Sequence, residues 1–373
     1  MAKVSKTKSL IVTGPAKAHI DELKVPFNFN GGAIGQVLAA GICGSDLSLY
    51  NDGPLGRRLW PLILGHENIV RLTQMDEDFS ERWDVKVGDR VAVEEFIPCG
   101  HCNICLSGNY RRCRRTDYNS ESFLRYGRTP LKIEPGLWGG FSQYIFVHPD
   151  AKVHKVPDSI PTSHAPLFVP IANGIRWVTD VGRASPGESV VVLGPGAHGL
   201  GCVLAASEIG ASTIIAIGLS SDAQRLETAK ILGATHTLFA DKDDIKSKVA
   251  EITGSMADLV VEVTAGASDA SKLATELAGP GGRVVLAGGG GPDRKGIDPE
   301  AIIRNEVQVN GVRGHDLRSI VPAIKLMASG KYDFDVIGTK IFPLEMAQKA
   351  LELFTSKESS RPLAFVVSPT EEI

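Results

Sequence analysis

Apolar and polar positions change rhythm near residue 165. Before it, short β-like runs at 9–13, 35–40, 90–93 and 141–147 alternate with Gly, Pro and Asp turns, which predicts an irregular β-rich domain. Four prolines between 157 and 170 interrupt the pattern and mark a connection between domains. From residue 189 the rhythm becomes strand, helix, strand. Residues 189–193 and 213–217 are continuous apolar runs, as buried parallel strands require, and 200–208 is a small, apolar helical stretch. Residues 222–232 read as an amphipathic helix. Further strands are predicted at 259–263, 283–287 and 307–312, with helices near 243–252 and 270–277. This alternation predicts an α/β class built on a doubly wound parallel sheet. From Gly314 onward, two helical stretches and a closing strand at 363–367 complete the chain.

A length of 373 residues favours two domains, and 43% apolar with 22% charged residues excludes a disordered chain. A net charge of −3 gives no strong attraction to nucleic acid or to an anionic membrane, so neither is expected as a partner. No apolar run is long enough for a membrane span, and the run at 9–13 is too short for a signal peptide. Of the six cysteines, four (Cys99, Cys102, Cys105 and Cys113) lie within fifteen residues. Without a secretion signal, such clustering suits thiolate metal ligands in a reducing, cytoplasmic compartment better than disulfides.

The run Gly194, Pro195, Gly196, Ala197, His198, Gly199 matches G-x-G-x-x-G, directly after a predicted buried strand and at the start of a predicted helix. In that context the first glycine permits the turn, the second lets a pyrophosphate approach the backbone, and the third lets helix and strand pack closely. The helix N-terminus then offers its unpaired N–H groups to the phosphates. The position after the second strand, where a carboxylate would bind the ribose of NAD, is Gly218, followed by Ser220, Ser221 and, in the helix, Arg225. The serines can donate to a 2′-phosphate and Arg225 can reach one, yet no basic residue follows the strand directly. NAD and NADP both remain open.

Four thiolates at C-x-x-C-x-x-C-x7-C spacing can close a tetrahedral shell around one Zn²⁺, which makes a structural site. Arg111, Arg112, Arg114 and Arg115 beside it either offset the charge of that centre or form a solvated basic loop. Separately, Cys43, His66 and Glu67 supply a thiolate, an imidazole and a carboxylate, enough for a zinc site with one open position.

Taken together, the motifs at 41–46, 65–67, 87–91, 99–113, 139–141 and 194–199 resemble the zinc-containing medium-chain dehydrogenase/reductase family, which includes alcohol, sorbitol and threonine dehydrogenases. The resemblance covers almost the whole chain. It implies a GroES-like β-rich catalytic domain from both ends of the chain, residues 1–168 and 314–373, with the zinc lobe at 95–115. A Rossmann NAD(P)-binding domain at 169–313 is inserted between them, with a catalytic zinc in the cleft. It further implies two zincs per chain, one held by Cys43, His66 and Glu67 and one by the four-cysteine lobe. Asp46 would orient the His66 imidazole, Ser45 would take the alcohol proton, and the relay would continue through Ser48, a cofactor ribose or water. The expected reaction is hydride transfer between an alcohol, secondary or polyol-like, and NAD(P), giving a ketone or aldehyde. A homodimer or homotetramer pairing near 307–312 is also implied.

The sequence departs from that family in four places. Val169 stands where many members have a further Cys or Glu ligand before a proline, Ser48 replaces a relay histidine, and Val70 replaces a glycine. The segment 116–137 is longer than usual and either rims the substrate entrance or is a passive loop. Tyr50, Trp60, Phe96 and Trp138 belong either to a substrate pocket or to the core. A zinc-free quinone reductase of this fold would leave Cys43, His66 and the lobe unexplained. A non-catalytic descendant would leave Ser45, Asp46 and the glycine motif unexplained.

Overall fold

In the computed structural model, which describes residues 4–26, 31–52, 60–288, 296–354 and 362–370, the strand Ala33–Gly41 is the spine of the first of two compact units. This unit takes the chain up to Pro166 and the return after Gly338. Its main sheet runs in the order Lys340–Pro343, Phe365–Ser368, Ala33–Gly41, Glu67–Met75, Arg90–Val93, Val153–Lys155, and Tyr144–Val147 also pairs with the spine. The two strands from the C-terminal return thus join strands from the N-terminal part, so both ends of the chain build one sheet. Ile34, Val37, Val70, Leu72, Val91 and Val93 are fully buried and form its core.

The second unit centres on Leu167–Ile337. Its sheet, among the described residues, is parallel throughout, in the order His236–Phe239, Thr213–Gly218, Ser189–Leu193, Ala257–Glu262, Ala278–Leu286, Gln308–Gly311. The order reverses beside Ser189–Leu193, the strand that feeds the glycine motif, as a dinucleotide site in a doubly wound sheet requires. Val191, Ile215, Val260 and Val284 are fully buried in its core.

The sequence expectation lacks the strands Lys17–Lys24, Glu67–Met75, Val153–Lys155 and Lys340–Pro343 of the first unit, and it differs in two details of the second. The strand His236–Phe239 was not anticipated, because Leu238 is its one buried residue and no alternation marks it. The change of unit also falls after Ile337, beyond the expected 314. Residues just past 313 are tied to the second unit: Arg176 Nη1 donates to the Gly314 carbonyl at 2.8 Å and Trp177 Nε1 donates to the same oxygen at 3.1 Å. The helix Leu317–Ala328 then packs on the helix Phe168–Ile175. No helix among the described residues is long and apolar enough to cross a membrane.

Candidate functional site

Strand register brings the dispersed motif together. Gly41 lies opposite Glu67 in the antiparallel pair of Ala33–Gly41 with Glu67–Met75. A Cβ at Gly41 would come within 2.3 Å of the Glu67 carboxylate, so the missing side chain is the space the carboxylate occupies. Two residues later Cys43 caps the helix Gly44–Asn51. The donor atoms of Cys43, His66 and Glu67 all lie within 4.8 Å of one another. His66 and Glu67 are only 5% and 6% exposed.

Asp46, fully buried, organises this corner. Its Oδ2 accepts the Cys43 N–H at 2.9 Å and its Oδ1 lies 3.1 Å from His66 Nδ1. That partner leaves Nε2 to face a metal. Ser45 Oγ lies 3.5 Å from His66 Nε2. Ser48 follows one helical turn later and is exposed. Val169, buried in the helix Phe168–Ile175 of the second unit, offers no donor atom.

The electrostatics of the corner favour a cation. Burial alone would push the His66 pKa down, but Asp46, with Cys43 and Glu95, lifts it well above the ordinary histidine value. Burial first, then the negative groups Cys43, Asp46 and Glu95, raise Glu67 well above the usual carboxylate range, against the opposing charge of His66. A raised pKa keeps the proton on its site up to a higher pH, and a metal competes for the same lone pairs. Zinc held by these groups should therefore be released as the pH falls, with the loss beginning above the range, about 6.5, where histidine ordinarily titrates. Zinc content after equilibrium dialysis at falling pH tests this; full retention at the acid end would contradict it.

The cysteine lobe has the geometry of a closed site. Cys102 and Cys105 sulfurs lie 3.5 Å apart, Cys99 and Cys105 3.9 Å, and Cys102 and Cys113 3.9 Å. Four sulfurs around a tetrahedral zinc would be spaced by about 3.8 Å. The His101 N–H in particular lowers the Cys99 thiol to about 6, against its burial. Burial and Cys102 push Cys105 up to about 12. Neither expectation for the arginines describes them fully. Arg111 stacks on the Phe96 ring at 4.0 Å and Arg115 pairs with Asp150. Of the four aromatics, Tyr50, Phe96 and Trp138 are core residues, and Trp60 is half-buried.

Sequence reasoning missed two residues beside Ser45. Arg128, from the segment 116–137, donates through Nη2 to Ser45 Oγ at 2.8 Å and through Nε to Glu95 Oε1 at 2.6 Å. Burial would raise the Glu95 pKa, but Arg128 foremost, then His66, Arg125 and Arg111, hold it well below the usual range. The segment is packed rather than passive: Arg125 Nε donates to the Thr116 carbonyl, and its guanidinium lies 4.3 Å from the Phe96 ring and 4.8 Å from that of Tyr118.

In the second unit the glycine motif has the expected form. Gly194 has φ +102°, and Gly199 lies so close to it that a Cβ would fall 1.9 Å from the Gly194 carbonyl oxygen. Nothing lies within 4 Å of where a Cβ at Gly196 would sit, which leaves that backbone open to a phosphate beside Pro195. Ala197 and His198 open the helix Ala197–Glu208. At the end of the next strand, Gly218 has no room for a side chain against Pro195. Ser220 donates through N–H and hydroxyl to Asp241, while Arg225 pairs with Asp222 at 3.4 Å, and Ser221 is exposed. Asp241, just after the unanticipated strand His236–Phe239, was not among the expected residues.

Known proteins carry the same arrangement of parts. Residues 31–158 match the alcohol dehydrogenase GroES-like domain family and residues 197–329 match the zinc-binding dehydrogenase family. The chain is 35% identical over 95% of its length, and 96% of the relative's, to the "Probable alcohol dehydrogenase adh" of Mycobacterium tuberculosis. It is 30% identical to sorbitol dehydrogenase of Bacillus subtilis, over 92% of each chain. A zinc-binding dehydrogenase of Sinorhizobium meliloti 1021, solved bound to NADP, superposes with a TM-score of 0.83 at 25% identity, covering 98% of this chain and 100% of that one. With similarity that extends end to end over both units, the chain belongs to the zinc-containing medium-chain dehydrogenase/reductase family.

Proposed function

We propose that the chain oxidises a secondary alcohol or polyol to the carbonyl compound, using two zincs and NAD. The family is one of zinc-dependent oxidoreductases acting on alcohols, and this chain is an enzyme of that kind. The observation that carries the finer reading is the sulfur, nitrogen and oxygen donor set of Cys43, His66 and Glu67 with the Ser45 hydroxyl beside it. The alcohol loses two electrons with a hydride, and a proton, to become the carbonyl.

When bound, zinc makes a hydroxyl more acidic and the nicotinamide takes up a hydride. Cys43, His66 and Glu67 would hold the catalytic zinc, and Cys99, Cys102, Cys105 and Cys113 the structural one. Asp46 fixes the His66 ring and its tautomer. Ser45 accepts the proton of the substrate hydroxyl while its own O–H passes one on, to Ser48 one turn along the helix or to water. A carboxylate ligand and the resemblance to sorbitol dehydrogenase support a polyol-like substrate.

For the coenzyme, the Gly194–Gly199 turn and the N-terminus of the helix Ala197–Glu208 would take the pyrophosphate. Ser220 and Arg225, two of the three groups able to meet a 2′-phosphate, are engaged by the carboxylates of Asp241 and Asp222, which favours NAD. The strand Gln308–Gly311 ends the sheet and offers an edge for pairing in a homo-oligomer. Six cysteines with no disulfide among the described residues suit the cytoplasm.

Metal analysis combined with initial rates on a panel of alcohols and polyols, with NAD and with NADP, tests the whole reading. We expect two zincs per chain, matching the two donor clusters. We also expect kcat/KM at least about tenfold higher with NAD, since opposing a 2′-phosphate with like charge is costly. Zinc-replete protein that reduces neither coenzyme with any alcohol would refute the proposal.

A further inference from the structure

The guanidinium of Arg128 is 6% exposed as a residue and bridges two oxygens, Glu95 Oε1 and Ser45 Oγ, from positions 33 and 83 residues away in the chain. Its backbone is pinned as well. Tyr126 N–H donates to the Glu95 carbonyl at 2.9 Å and Gly127 N–H donates to the Trp138 carbonyl at 2.5 Å. Gly127, at φ +71°, packs so that a Cβ would lie 3.1 Å from the Gly65 carbonyl and 3.2 Å from the His66 Cβ. The segment that carries Arg128 is therefore seated on the same turn that carries His66.

We propose that Arg128 is a positioning residue for the proton relay: balanced by Glu95, it fixes the Ser45 hydroxyl as its hydrogen-bond acceptor. This rests on Ser45 being the group that takes the substrate proton. A guanidinium has only donors and stays charged at any working pH. The Ser45 oxygen must therefore accept from it, and the Ser45 O–H is turned away from Arg128. One lone pair on that oxygen is left to receive the substrate's proton. A permanent positive charge at 2.8 Å makes the Ser45 O–H the readier donor, so a proton received from the substrate is passed on and not held. Arg128 itself releases no proton, so it orders the relay without being a member of it. Lysine, with a single nitrogen, cannot span both oxygens in the same way.

The test uses the zinc-loaded full chain and the alcohol found on the panel. Removing Arg128 alone takes from Glu95 its partner at 2.6 Å and leaves Arg125 at 3.5 Å, so the decisive protein is the E95Q/R128M double variant, compared with S45A and R128K. We expect the double variant to keep the wild-type zinc content and melting temperature. Its kcat should fall by about a hundredfold with KM little changed, because general acid–base assistance is typically worth 10²–10⁴. Its solvent deuterium isotope effect on kcat should rise as proton transfer becomes limiting. R128K should recover part of the rate, and S45A added to the double variant should cost little more. A double variant that turns over at the wild-type rate while S45A is slow would overturn the role of Arg128 and leave that of Ser45 standing. An S45A protein with full turnover would overturn both. Loss of zinc from the double variant would also overturn it, since Arg128 would then support the metal site and not the hydroxyl.

Discussion

Cys43→Ser is expected to lose one of the two zincs and to cut kcat/KM on an alcohol by about a thousandfold or more, with little change in melting temperature. The size follows from the several kcal/mol of charge stabilisation that a Lewis-acidic ion supplies, at a factor of ten for each 1.36 kcal/mol. The fold should tolerate the change because a serine oxygen can take the sulfur's part in the capping box of the helix Gly44–Asn51, and the other half is the Cys43 N–H, which Asp46 Oδ2 accepts at 2.9 Å. The backbone group survives the substitution. What disappears is a thiolate. A serine hydroxyl ionises far above any working pH and offers zinc a neutral oxygen in its place. His66 and Glu67, both inclined to hold protons, would then compete for the metal with two donors where there were three. Metal analysis, initial rates and a thermal melt together check this. Full turnover with both zincs retained would mean that Cys43 is not a ligand.

The sequence was informative where chemistry is local or periodic. Four cysteines within one short segment and a glycine motif framed by an apolar strand and a helix are legible because their partners are close in the chain. The parallel strands of the second unit are legible because burial on both faces leaves unbroken apolar runs, as at Ser189–Leu193. The strand His236–Phe239 lies at the edge of that sheet, where one buried residue suffices, and no such run exists. The pair Arg128 and Glu95 was hidden for a different reason. Arg128 and Glu95 sit outside regular elements, and nothing in the spacing of loop residues says which charges meet. Asp241 was missed likewise: its contact with Ser220 depends on two neighbouring strands ending side by side. Asp46 was reached through family resemblance, since a buried aspartate one turn into a short helix has no pattern of its own.

Cys113→Ser should act on stability where Cys43→Ser acts on turnover. It is expected to lose the other zinc and to cost about 4 kcal/mol or more, as loss of a structural metal does. In a domain of this size that corresponds to a melting temperature lower by about 10 °C. Cys113 is the most enclosed of the four thiols, at 2% exposure, and its sulfur accepts the Cys99 N–H at 3.4 Å. The damage should spread along a definite route. The Thr116 hydroxyl donates to the Cys113 carbonyl at 2.7 Å, and the Thr116 carbonyl receives Arg125 Nε at 2.6 Å. Arg125 lies 3.5 Å from the Glu95 carboxylate, which in turn holds Arg128 against Ser45. Loosening the lobe should therefore expose segment 99–137 to proteases and lower kcat even while the zinc at Cys43, His66 and Glu67 remains. Limited proteolysis, metal analysis and rates on the same preparation separate this from the Cys43 variant. If Cys113→Ser keeps its zinc content and its melting temperature, the lobe is not a metal site.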